Sequence, residues 1–283
     1  MGLANDHRDC GRRVLFHRAG ARVKQSFAGR TDVGMIRSGN EDNFDINANA
    51  TRGIFIVADG MGGHAAGEVA SEMAVQIVMR EIKDVTDLTD GAAPKLLGEA
   101  LKLANRAIHD RTITEVDKQG MGTTASVLVL AEARYLIGQV GDSRVYLLRD
   151  GALKQLTKDH SYVQEQVDLG NLTPEQARYH PYSNVITRCV GASPDVEPDL
   201  YSGEARTGDI FLVASDGLTG MVDDRRLAQL LMSRSEPERK VQALISEANG
   251  RGGLDNITAI VVHVDETTDK SDGVTGEIPA VRG

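Results

Sequence analysis

The sequence predicts an α+β fold, on three observations. An apolar run over residues 54–58 reads as a strand. Two segments with apolar residues at helical spacing follow it: Val69, Met73 and Ile77, then Leu97, Leu101, Ala104 and Ile108. The stretch "TASVLVLAEARYLIGQVGDSRVYLLRDGALKQLT" then alternates short β-rich runs with tight turns at Glu132-Ala133, Gly141-Asp142 and Asp150-Gly151, the pattern of an antiparallel meander. That meander argues against a parallel doubly wound sheet. Further on, "TPEQ" at residues 173–176 puts Thr at an N-cap, Pro at the first helical position and Gln three residues after the cap. It opens a short helix in an otherwise irregular stretch from about 157 to 183. Strands are expected near 185–190, 210–214 and 257–264, with helices at about 223–233 and 237–248 between the last two.

Composition sets the bounds. With 283 residues, 41% hydrophobic and 26% charged, the chain reads as one soluble domain over 25–265 with ample core. A basic arm (1–24, with arginines at 8, 12, 13, 18 and 22) and a polar, Thr-rich tail (266–283) are expected to be flexible. No apolar stretch approaches the roughly 18 residues of a spanning helix, and Val14-Leu15-Phe16 is too short for a signal peptide core, so the expectation is a cytoplasmic protein without a membrane partner. The net charge of −9 disfavours a broad nucleic-acid surface and leaves proteins or small anions as partners. Cys10 in the arm and Cys189 in an apolar run read as free thiols, not as a disulfide.

The acids are placed unusually. In "GIFIVADGMGGHAAGE" the strand stops at Asp59 and gives way to glycine, which suits either an ordinary turn or a carboxylate ligand kept clear of bulk. The pattern returns in "GDIFLVASDGL", where Asp216-Gly217 stops a second apolar strand. Asp142 follows Gly141 at a hairpin, Asp255 stands just before a strand in "GLDNIT", and Glu41 and Asp42 open an extended segment in "GNEDNF". If these strand ends gather at one sheet edge, four or five carboxylates meet where hard cations would neutralise them.

In order and spacing, "RSGNEDN", "VADGMGGHAAGEVAS", "MGTTAS", "GDSRVYLLRDG", "TKDHS", "ASDGL" and "GLDNIT" resemble bacterial members of the metal-dependent protein phosphatase 2C family, over about residues 27 to 264. The resemblance implies a four-layer α-β-β-α sandwich of two mainly antiparallel sheets flanked by helix pairs. It also implies hydrolysis of phosphoserine and phosphothreonine in proteins by a metal-bridging hydroxide, opposing a serine/threonine kinase. Carried onto this chain, Asp59 would bridge two Mn2+ or Mg2+ ions and the Gly60 carbonyl would bind one of them. Asp216 and Asp255 would complete one ion's shell, Glu41 and Asp42 would support the other through water, and Arg37 would clamp the phosphate. Asp142 would belong to a weaker third site, or serve only its hairpin.

Direct attack by water fits the absence of a Cys-x5-Arg loop and of a Gly-x-Ser-x-Gly elbow. Two departures from the family stand out. Met61 follows the Asp-Gly pair where eukaryotic relatives often have histidine; His64, three residues on, either protonates the leaving group or braces the turn. Gly220 stands where the family often has another acid for the third site. Thr123 and Thr124 read as sheet residues, and His160 either lies near the site or is structural. Two rival classes are a two-metal phosphodiesterase, which the acidic balance disfavours, and a non-catalytic phosphoprotein-binding module, which would have lost metal ligands.

Overall fold

A computed structural model describes residues 22–49, 52–62, 65–89 and 91–268. The expected arm up to residue 21, with Cys10, the tail beyond residue 268, and His64 lie outside the described residues.

Eleven strands form two antiparallel sheets among the described residues. In one, the order is β1 (Arg22–Asp32), β11 (Ile257–Thr268), β10 (Ile210–Ala214), β7 (Arg144–Arg149) and β8 (Ala152–Gln155). In the other it is β2 (Asp42–Ala48), β3 (Arg52–Met61), β5 (Ala125–Ala131), β6 (Arg134–Val140) and β9 (Asp199–Glu204), with the short β4 (Gly122–Thr123) paired to the end of β3. Helices α1 (Ala65–Ile82) and α2 (Ala92–Thr114) follow β3; α3 (Tyr162–Asp168) and α4 (Pro174–Arg178) lie between β8 and β9. The chain then adds α5 (Asp216–Thr219), α6 (Asp224–Leu231) and α7 (Pro237–Gly250).

The layering follows from strands that are apolar on both faces. Along β3, Phe55 and Val57 point into a central core with Val145, Phe211, Val213 and Ile260 from the facing sheet. Their neighbours Ile54, Ile56 and Ala58 point the other way, onto Ala70, Ala74, Leu97 and Leu101 of α1 and α2. The facing sheet repeats the arrangement: Leu212, Ala214, Ala259 and Val261 turn outward onto Leu227, Leu231, Val241 and Leu244 of α6 and α7. Three apolar seams therefore separate four layers, the α-β-β-α sandwich expected. Glu132 and Ala133 both take positive φ (49° and 57°), as do Asp150 and Gly151 (52° and 78°), which is the type I′ geometry that joins twisted antiparallel strands. The capping box of α4 is present, with Thr173 Oγ1 accepting from Gln176 N and the Gln176 side chain accepting from Thr173 N.

Four features differ from the sequence reading. The expected meander is split, because β6 and β7 belong to different sheets: the chain crosses from one sheet to the other at Gly141-Asp142, and only β5–β6 and β7–β8 are hairpins. Residues 185–190 form no strand: Ile186 bridges Ser161 and Val190 bridges Thr123, two single contacts to different partners that cannot make a ladder. The edge strand beside β6 is β9, whose polar alternation hid it. The β1–β11 pairing also runs from Arg22↔Thr268 inward, three residues past the expected boundary at each end, because each strand supplies the other's hydrogen bonds. No helix of the described residues is long and apolar enough to cross a membrane.

Candidate metal centre

The sheets bring the acids to one end of the sandwich. Asp42 and Asp59 are cross-strand partners in the β2–β3 register. Asp216 lies two residues past the end of β10, at the start of α5, and Asp255 two residues before β11, which pairs with β10 through Ala214↔Ala259. Asp142 sits in the β6–β7 turn, next to the start of β7 at Arg144, which lies opposite Ala214.

Their charges interact. Burial pushes the Asp42 carboxyl up to about 7, against hydrogen bonds from Thr258 and Ser215 that favour the ionised form, and with repulsion from Asp216 and Asp255. Burial also holds Asp59 well above the carboxylate range, with Asp42, Asp216 and Asp142 adding to it, and Asp59 and Asp216 meet closely enough to share a hydrogen bond. Asp142 is raised by burial and then by Asp216 and Asp159; Asp216 is raised by burial and by Asp255. Three buried oxygens, Asp42 Oδ1, Asp142 Oδ1 and Asp216 Oδ1, have no hydrogen-bond partner. A buried carboxylate oxygen left this way costs free energy that a cation would recover.

Glycine makes room for this crowding. A methyl group at Gly60 would collide with the Gly67 carbonyl, and one at Gly67 with the Glu41 carboxylate, so β3 and α1 close on Glu41 only because both positions lack a side chain. The Glu41 carbonyl accepts from Gly60 N (3.2 Å) and Ser71 Oγ (2.6 Å). Arg37 donates from Nη2 to Asp255 Oδ2 at 2.7 Å, so the expected phosphate clamp and an expected ligand are paired with each other.

Comparison with known proteins decides what this centre belongs to. The sequence profile described as Protein phosphatase 2C matches residues 36–248. The chain belongs to the protein phosphatase 2C family. The serine/threonine phosphatase Stp of Listeria monocytogenes is 41% identical over 240 residues, which cover 84% of this chain and 95% of that protein. The crystal structure of the Mycobacterium tuberculosis serine/threonine phosphatase PstP/Ppp superposes with a TM-score of 0.78 at 40% identity, covering 86% of this chain and 99% of that one. A structure of the PstP catalytic domain in complex with two manganese ions gives a TM-score of 0.75 at 39% identity, covering 86% and 99%.

In this phosphatase 2C chain the acids are held by residues that the sequence reading left in the background. Thr123 and Thr124 are more than sheet residues: Thr124 Oγ1 accepts the Asp59 N–H at 2.9 Å, while Thr123 Oγ1 and Thr124 N both donate to the Asp59 carbonyl at 2.9 Å. Thr124 Oγ1 also meets Ser143 Oγ at 2.7 Å, which links the Asp59 strand to the turn that carries Asp142. Ser215 and Thr258 donate to Asp42 Oδ2 at 2.8 and 2.6 Å. Asn256 stitches two loops, donating to the Val33 and Gly39 carbonyls (2.9 Å each) and accepting from Glu41 N at 2.8 Å. Buried hydroxyls and amides next to strand-ending acids were the signal available in "MGTTAS" and "GLDNIT".

His160 lies beside the site in a supporting place. Its N–H donates to the Gly141 carbonyl at 2.9 Å and its Nδ1 accepts from Gly141 N at 3.0 Å, which fixes the turn where Gly141 has φ +101° and Asp142 follows. Arg144 pairs with Asp159 through Nε (3.0 Å) and Nη2 (2.7 Å), placing one cation against the acidic group. Gly220 follows α5 and brings no carboxylate, while Arg178 Nη2 donates to the neighbouring Thr219 carbonyl at 3.0 Å.

The residues fit divalent cations by charge and by unpartnered oxygen. Among the described residues no three acidic, histidine or cysteine side chains already form a ligand set around one point. The fit therefore rests on four buried carboxylates, Asp42, Asp59, Asp142 and Asp216, whose protonated forms are favoured by burial, with Asp255 beside them and hard oxygen donors suited to Mn2+ or Mg2+.

Proposed function

We propose that this chain removes phosphate from phosphoserine and phosphothreonine in proteins, using two Mn2+ or Mg2+ ions. The observation that carries the reading is the meeting of Asp42, Asp59, Asp142, Asp216 and Asp255, three with an unpartnered buried oxygen, beside Arg37 on a phosphatase 2C fold. Asp59 and the Gly60 carbonyl, with Asp216 and Asp255, would hold the core ions; Glu41 and Asp42 would support them, and Asp142 would serve a weaker third. Those ions, when bound, acidify water toward neutrality and offset the phosphoryl charge. Arg37 exchanges Asp255 for the phosphate and orients it with its fork of donors. A water oxygen bonds to phosphorus and gives up a proton as the bond to the serine or threonine oxygen breaks, and that oxygen takes up a proton, leaving inorganic phosphate and the free hydroxyl. His64 is the side chain proposed near this step, as donor or as brace of the turn.

The partners in this reading are phosphoproteins and the serine/threonine kinase that makes them. Cys189 is a free thiol, which suits a reducing compartment, the cytoplasm. The test is hydrolysis of a phosphothreonine peptide and of p-nitrophenyl phosphate, abolished by EDTA and restored by Mn2+ or Mg2+. Turnover of bis(p-nitrophenyl) phosphate would instead mark a phosphodiesterase, and peptide binding without turnover a binding module. A thiol-blocking reagent should have little effect.

A further inference from the structure

Two loops present apolar side chains to solvent next to Arg37. Met35 is 65% exposed, Ile36 68% and Leu254 57%. They belong to one surface because the backbone joins the loops: Met35 N donates to the Gly253 carbonyl at 2.8 Å, and a Cβ on Gly253 would lie 2.8 Å from Met35 Cγ. Asn256 and the Arg37–Asp255 pair fasten the same two segments. Ile36 immediately precedes the arginine, and Leu254 immediately precedes its aspartate partner. A single exposed apolar residue needs no explanation, but three on two stitched loops beside a functional arginine do. Arg37 also faces the acidic centre through Asp255 and Asp216, whose charges repel acidic peptide flanks.

We infer that Met35, Ile36 and Leu254 form an apolar shelf that takes an apolar side chain of the substrate protein within two positions of the phosphorylated residue. The inference rests on the reading of the site as a phosphoserine/phosphothreonine phosphatase with Arg37 at the phosphate. Neighbouring residues of a peptide are about 3.8 Å apart between Cα atoms, so a phosphoresidue at Arg37 carries its near neighbours over the residues on either side of that arginine. Covering about half a leucine side chain is worth roughly a factor of ten in kcat/KM.

The test compares two phosphothreonine peptides, one with leucine and one with serine at the positions flanking the phosphoresidue, on the same enzyme preparation with Mn2+. The ratio of the two kcat/KM values is independent of the folded fraction. The wild type should prefer the leucine peptide by about tenfold, and Met35→Ser/Ile36→Ser and Leu254→Ser should each bring the ratio toward one. A wild-type ratio near one, or a ratio unchanged in both variants, overturns the shelf alone. An unchanged ratio with a shift in sedimentation also overturns it, in favour of contact between copies of this chain. If neither peptide is hydrolysed while p-nitrophenyl phosphate is, the phosphoprotein reading fails and the shelf with it.

Discussion

Arg37 Nη2 lies 2.7 Å from Asp255 Oδ2, so the side chain assigned to phosphate and a side chain assigned to a cation hold each other. Both are substantially exposed, 49% and 37%, and such a pair is typically worth no more than about 1 kcal/mol. On the proposed assignment a phosphate dianion and a divalent cation would outcompete it, and the pair would be the resting arrangement of two ligand-binding groups. Replacing Arg37 by alanine should lower kcat/KM for p-nitrophenyl phosphate by about 10- to 100-fold and weaken inhibition by inorganic phosphate, while lysine recovers only part. Undiminished phosphate inhibition in Arg37→Ala would remove the arginine from the site.

Asp59→Asn and Asp216→Asn should each reduce turnover by several orders of magnitude at saturating Mn2+. Each keeps the side-chain volume and removes one of the crowded charges, so the metal-free variants should melt no lower than the metal-free parent. Thermal melts and initial rates on the same samples check both halves, and near-parental rates would show that the centre is placed wrongly.

The raised carboxyl of Asp42 gives a signed pH dependence. Its folded value of about 7 lies above the usual 3.8, so between these values the folded state binds more protons than the unfolded one. Its contribution to stability is complete below about 3.8 and is lost as pH rises through about 7. In EDTA the melting temperature should therefore carry a falling component over that window. On the proposed centre, protonation of Asp42 and binding of Mn2+ oppose each other, so the rise in melting temperature on adding Mn2+ should be larger at pH 7.5 than at pH 5. An Mn2+ effect that shrinks toward pH 7.5 would contradict this.

Thr124→Val keeps the shape of the side chain but leaves the Asp59 N–H without its acceptor and Ser143 Oγ without its neighbour. The loss should be about 1–3 kcal/mol of stability, measured by urea unfolding. Mn2+ affinity, measured by calorimetry, should fall as well, because the strand end that carries Asp59 is released.

The role of His64 is separable by leaving group. A general acid is worth roughly 10²–10⁴-fold on a poor leaving group and far less on a good one. As an acid, His64→Ala should slow phosphopeptide hydrolysis much more than p-nitrophenyl phosphate hydrolysis. Equal slowing of both assigns it to bracing the glycine-rich turn.

Much of this was written locally. The run Ile54, Phe55, Ile56 and Val57, apolar on every residue, marked β3 as a strand, and the two-residue turns marked the β5–β6 and β7–β8 hairpins, whereas nothing local showed that the chain changes sheets between β6 and β7. The carboxylates of the centre were legible because each ends or precedes an apolar strand, and the order of the motifs carried the family. What hid β9 was its polar alternation, and what misled at 185–190 was an apolar run whose backbone groups are shared between two distant partners.

The sequence by itself determined which residues carry charge, where strands stop, and that glycine follows Asp59 and Asp216; these depend on side-chain chemistry and local backbone freedom. Only the tertiary structure decided that Asp42 faces Asp59, that Thr124 and Asn256 hold the acids in place, and that Arg37 pairs with Asp255 across a separation of 218 residues. Burial and mutual repulsion set the protonation of these groups, and both are properties of distances between segments far apart in the chain, which no local pattern encodes.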